Sequence, residues 1–111
     1  MALGITFNHD SALLNSGALT SQRYYVRAIG CNTNTLTNTG YVPLYYKAMD
    51  ENGQPLGDWL PGLPLPNSVP IMRPKDLMLQ EGTTPFKQAY GLAGPFLRGW
   101  LGDQATVEDL L

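Results

Sequence analysis

The chain predicts a mainly β fold, a small antiparallel sheet, sandwich or barrel, with a long Pro-rich extended segment and one short C-terminal helix. Three observations predict it. Apolar residues alternate with polar ones at 3–7, 19–31 and 41–49, the period of a half-buried strand. The two longer runs are rich in Tyr, Val and Ile, which suit a pleated surface. Turn-forming clusters border them: Asn8-His9-Asp10-Ser11, Asn15-Ser16-Gly17 and Asp50-Glu51-Asn52-Gly53. With 111 residues the chain has the size of one domain. It divides into a β core over 1–59, an extended arm over 60–83, and a short helix with its tail over 84–111.

The first long run places Tyr24, Val26 and Ala28 on one face and Arg23, Tyr25, Arg27 and Ile29 on the other. Arg23 and Arg27 flank Tyr25, a spacing that permits cation–π packing, although two arginines covering a solvated strand is the simpler reading. Threonine recurs at 33, 35, 37 and 39. A flat threonine rank can order water, but no repeat supplies a second rank, so a polar hairpin loop is expected.

In the second run Val42, Leu44, Tyr46 and Ala48 share one face, and Tyr41, Tyr45, Lys47 and Met49 the other. Pro43 lacks a ladder donor and belongs near the strand start or at a sheet edge. The turn at 50–53 predicts a hairpin whose return is Gln54-Pro55-Leu56, ending near Trp59.

Six prolines fall within 55–74, which excludes helix and central strand and leaves extended backbone. The residues between them, Leu60, Leu63, Leu65, Val69, Ile71 and Met72, are apolar, unlike a solvated linker. Something must cover such an arm, either its own sheet or a neighbouring subunit. If a neighbour covers it, Leu63→Asp or Leu65→Asp should weaken assembly more than it unfolds the core. Thr84-Pro85 is a helix start, and Phe86, Ala89, Tyr90 and Ala93 follow at helical spacing. Gly91, Gly94 and Pro95 should end this helix after about two turns. Residues 96–101 are apolar but unassigned, and 104–111 read as a tail with a Thr106-x-x-Asp109 cap.

Candidate chemistry is sparse. His9-Asp10 is the one His–carboxylate pair, and neighbours in a turn do not face each other usefully. Cys31 could act as a nucleophile only with a histidine beside it; a small buried hydrophobe is the default. A single cysteine excludes an intrachain disulfide and a Cys-rich zinc site. Asp50, Glu51 and Asp58 do not have calcium-loop spacing, and no phosphate-binding glycine loop occurs. Pro61-Gly62-Leu63-Pro64 meets the minimal Pro-x-x-Pro pattern but has no adjacent basic residue. No catalytic residue, cofactor or metal is therefore expected.

Seven Lys and Arg residues against nine Asp and Glu offer no basic patch for nucleic acid. No apolar run approaches a membrane span, and no signal peptide or Asn-x-Ser/Thr acceptor is evident. The expectation is a chain made in the cytoplasm. Charged residues are only 14% of the chain, against about 25% in ordinary domains. Such a surface repels neighbours weakly. These observations point to a non-enzymatic assembly subunit, a homo-oligomer or one of several structural subunits. A small virion component such as a phage head-decoration, neck or tail protein is of this kind. The expected contact residues are Tyr25, Tyr41, Tyr45, Trp59, Leu63 and Leu65. The rival reading is a carbohydrate- or small-ligand-binding β-domain using displayed Tyr and Trp.

Overall fold

A computed structural model describes residues 2–60 and 63–110. Pro61 and Gly62, and so the first half of the Pro-x-x-Pro motif, lie outside the described residues. The chain is mostly β, with two antiparallel sheets and one main helix.

The larger sheet has five strands, in the order Pro55–Leu56, Tyr45–Met49, Arg23–Arg27, Ala2–Phe7 and Ala105–Leu110. Its central strand is β2 (Arg23–Arg27), paired with β1 (Ala2–Phe7) so that Val26 faces Leu3 and Tyr24 faces Ile5. Period-two burial holds in β2, which occupies only Arg23–Arg27 of the 19–31 run, whereas β1 is covered on both faces, Ala2 and Gly4 being buried too. Leu3, Ile5, Phe7, Tyr24, Val26 and Ala28 are buried, while Tyr25 and Arg23 are half-buried and Arg27 is exposed. Phe7 and Tyr24 meet edge to face at 6.1 Å. The Tyr24 hydroxyl accepts from Thr20 and Ser21 N–H, fastening the preceding loop to the sheet. Between β1 and β2 lies a one-turn helix, α1 (Ala12–Asn15), where the sequence suggested only turns. Ser11 caps it, accepting from Leu14 N–H at 3.5 Å.

The single strand expected over 41–49 is two strands in two sheets. β3 (Asn32–Asn34) and β4 (Thr39–Pro43) form a polar hairpin, with the turn closed through Asn38 at φ 52°. The threonines are therefore split between the hairpin's two arms and its turn, and make no flat rank. β4 ends at Pro43, and after Leu44 the chain resumes as β5 (Tyr45–Met49) in the larger sheet beside β2. Pro43 thus marks a strand end rather than a start. Its missing N–H would lie on the side facing β3, while Leu44 N–H carries the pairing beside Ser68 one step further by bonding Asn67 carbonyl at 2.9 Å. Alternation survives the switch: Val42, Leu44 and Tyr46 are buried, Tyr41 and Tyr45 exposed. The turn after β5 places Gly53 at φ 78°, and β6 (Pro55–Leu56) returns along β5 as the hairpin reading required.

Much of the proline-rich segment is docked on its own chain. Leu65 and Val69 are buried in the core, and Leu60, Leu63 and Ile71 pack against it. β7 (Ser68–Pro70) pairs with β4, and Ile71 N–H bonds Gly40 carbonyl at 2.9 Å. Gly40 is the point of close approach: a Cβ there would stand 2.8 Å from Leu77 Cδ2 and 3.1 Å from Ile71 Cδ1. A single helical turn over Pro74–Leu77 follows.

Helix α2 (Pro85–Leu101) is twice as long as the sequence suggested. Thr84 and Pro85 start it as expected, with Thr84 Oγ1 accepting from Lys87 N–H at 3.2 Å. It then runs through Gly91, Gly94 and Pro95, because Ala89, Tyr90, Ala93, Gly94, Leu97 and Leu101 bury one face against the sheets. Packing on that scale outweighs the local helix penalties. Gly102, at φ 57°, ends it. The expected tail is instead a strand, β8 (Ala105–Leu110), paired along its length with β1. Its Thr106-x-x-Asp109 run has no helix to cap, because pairing with β1 holds the segment extended. Buried residues of both sheets and α2 form one cluster.

Candidate functional site

The outer face of the larger sheet carries the aromatic residues. Strand pairing sets Tyr25 opposite Lys47 and Arg27 opposite Tyr45, and all four side chains point away from the core by the alternation of the strands. Trp59 joins them from the loop after β6. Gly57, at φ 64°, turns the chain, and Leu60 N–H then bonds Tyr46 carbonyl at 2.8 Å. That bond sends Leu60 inward and leaves Trp59 lying over the sheet. Its ring centroid is 6.3 Å from Tyr25 and 6.1 Å from Tyr45, with interplanar angles of 45° and 68°. Lys47 Nζ sits 4.7 Å over the Trp59 ring. The cation–π contact of this face is therefore Lys47 on Trp59, rather than one of Arg23 or Arg27 on Tyr25.

Trp59 is 38% exposed and Tyr45 41%, so the cluster is ordered by its own contacts yet open to a partner. Hollows flank it on two sides. One, of about 420 Å³, lies against the arm and is lined by Leu44, Tyr46, Leu60, Leu63, Leu65 and Asn67 as well as Tyr45 and Trp59. The other, about 230 Å³, is bounded by Arg27, Ile29, Tyr45 and Trp59. Among the described residues the one ion pair is Arg73 with Asp76, at 2.8 Å. Arg27 and Lys47 thus present unneutralised charge beside the aromatic rings.

Of the six residues expected to contact a partner, three, Tyr25, Tyr45 and Trp59, come together here. Tyr41 is exposed but lies in the smaller sheet, its hydroxyl accepting from Asn32 Nδ2 at 3.1 Å. Leu63 forms the wall of the larger hollow. Leu65 is a correction: at 8% exposure it is a core residue, because the arm lays it under the sheet. Lys47 was missed as a member of the cluster. It shares a strand face with Tyr45, but only the loop that swings Trp59 over it makes them partners. Met72, Met78 and Leu79 of the arm and Phe86 at the start of α2 are also exposed.

The reactive candidates stay apart. His9 is exposed in the turn after β1. Cys31 lines a cleft of about 210 Å³ with Thr33, Asp76, Leu77 and Gln88, and no histidine lines it. Burial, together with the Asp76 carboxylate, pushes the Cys31 thiol up from its ordinary value. That is the reverse of what a nucleophilic thiolate requires. No group of three His, Cys, Asp or Glu positioned for a metal occurs among the described residues. No helix among them is long and apolar enough to cross a membrane. Comparison with protein-family models, with curated proteins and with solved structures gives no significant match.

Proposed function

We propose that this chain is a non-enzymatic assembly subunit that docks onto neighbouring protein through the outer face of its larger sheet. The observation that carries this reading is the cluster of Trp59, Tyr25, Tyr45 and Lys47, held rigid by mutual contact and flanked by two hollows. Trp, Tyr and Arg dominate the energetics of protein interfaces, and preordered anchors lose little entropy on docking. The unneutralised Arg27 and Lys47 favour an acidic partner surface. Within this class, a small virion component such as a phage head-decoration, neck or tail subunit is the role we favour, since a low-charge surface suits close packing among many copies.

The carbohydrate alternative is weaker on geometry. A sugar-stacking platform needs a free, flat ring face. Lys47 covers one face of Trp59, and the neighbouring tyrosine rings are tilted out of its plane.

The test is the mass of assemblies formed by the native chain and by Trp59→Ala, measured by sedimentation velocity over a concentration series. Native protein should grow beyond its smallest oligomer. Trp59→Ala should weaken that growth by on the order of 2 kcal/mol, about thirtyfold, without unfolding the chain. Identical growth in both proteins would remove the aromatic face from the account. Quenching of Trp59 fluorescence by oligosaccharides would restore the sugar-binding alternative.

A further inference from the structure

Strand β8 forms one edge of the larger sheet, and no strand pairs with its outer side among the described residues. Its register with β1 tells which backbone groups face outward. Asn8 N–H bonds Gln104 carbonyl at 2.9 Å, so the even-numbered residues of β8 point to β1. Ala105, Val107 and Asp109 therefore direct their N–H and C=O groups to the open side. Arg98 of α2 reaches this edge and donates from Nε to Val107 carbonyl at 3.3 Å. Beside the edge runs a groove of about 510 Å³, lined by Lys87, Tyr90, Gly91, Pro95 and Arg98 of the helix and by Asp109 and Leu110 of the strand.

We infer that this edge pairs with the β8 edge of a second copy across a two-fold axis at Val107, joining the two sheets into one of ten strands. The inference deepens the assembly reading and rests on it only for the tendency of the chain to associate. The choice of a second copy comes from self-complementarity. Antiparallel pairing must oppose outward-facing residues to outward-facing residues, and two such registers overlap five residues of β8. One is centred on Glu108 and sets that carboxylate against its own copy, which is repulsive. The other is centred on Val107. It places Asp109 opposite Ala105, Thr106 opposite Glu108, and Val107 opposite itself, with no like charges facing.

In that register the small Ala105 of each copy enters the mouth of the other's groove. Each Asp109 then stands one pairing step from the carbonyl that the other copy's Arg98 holds. The groove carries cations on its helix side and a carboxylate on its strand side, so the two-fold brings opposite signs together. Val107 carbonyl has a second lone pair and accepts the ladder bond while keeping Arg98.

Asp109→Pro is the decisive variant. Its N–H faces outward, so the β1 ladder is untouched, and proline is tolerated on a strand edge. Sedimentation equilibrium of the native chain should give a dimer, and Asp109→Pro should weaken it about tenfold or more. Arg98→Asp should weaken it too, and combining Arg98→Asp with Asp109→Arg should recover part of the loss. Amide exchange at Ala105, Val107 and Asp109 should slow as protein concentration rises. A native chain monomeric at high concentration overturns the edge pairing, as does a dimer indifferent to Asp109→Pro. If association survives Asp109→Pro but fails in Trp59→Ala, the edge pairing is wrong and the aromatic face stands. The opposite pattern leaves the edge and removes the aromatic face. An acidic peptide competing for Lys87 and Arg98 without any native dimer would make the groove a site for another chain and sink the two-fold.

Discussion

Tyr46 shows how one side chain can tie two parts of the chain together. Its ring is buried at 3% exposure, and its hydroxyl donates to Pro66 carbonyl in the arm. Burial pushes its phenol well above the ordinary tyrosine value, since the ionised form would lose its hydration. The folded state therefore keeps the proton to higher pH than the unfolded chain does. Its contribution to stability is complete below about pH 10, the unfolded value, and drains away as pH rises beyond it. Denaturant unfolding should accordingly lose about 1.4 kcal/mol per pH unit above pH 10 from this group. Tyr46→Phe should flatten that slope while costing about 1 kcal/mol at neutral pH through the lost hydrogen bond. Ultraviolet titration should show the Tyr46 phenol ionising above the ordinary tyrosine range. If Tyr46 ionises within that ordinary range, the buried linkage is wrong. Tyr90 moves the same way, raised chiefly by burial, with the Ala28 N–H bond and Arg27 opposing the rise.

At the level of elements, α2 is where local rules and packing disagree most. Pro95 lies inside the helix with no N–H to bond Gly91 carbonyl, yet the helix continues for six further residues. Both residues are exposed, so water can serve the freed carbonyl. Pro95→Ala should raise stability by roughly 1–3 kcal/mol in chemical denaturation, as the missing bond is restored. No gain would mean that proline's stiffening of the unfolded chain offsets the lost bond. The strands were legible because burial on one face leaves a period-two trace, and Leu3, Ile5, Phe7, Tyr24 and Val26 carry it plainly. The helix start was legible from Thr84 and Pro85 for a similarly local reason. Its end was not, since Leu97 and Leu101 extend the helix through contacts with strands far away in sequence. The break at Pro43 was hidden because Val42, Leu44 and Tyr46 keep one alternation across two sheets. Of the surface cluster, Tyr25, Tyr45 and Trp59 could be read from residue type; their meeting depended on a loop whose course no periodicity records.

Taken whole, the molecule measures 42 × 25 × 24 Å, longer than it is broad, and the proline-rich segment is part of its body. Proline had suggested an arm available to a neighbour, but Leu65 and Val69 fill space between the sheets and α2. Leu65→Asp should therefore unfold the protein, costing about 3 kcal/mol or more by burying an unpaired charge. Thermal denaturation of the variant at low concentration, where association is absent, checks this. A variant as stable as the native chain, with only its assembly impaired, would return the segment to the role of a free strap. The switch at Pro43 and Leu44 has a mechanical corollary. Because one continuous stretch of backbone serves both sheets, a load applied to the aromatic face travels along covalent bonds into the hairpin at 32–43. Pulling on that face would therefore strain a single thread of peptide linkages before any packed seam between the two sheets had to slide.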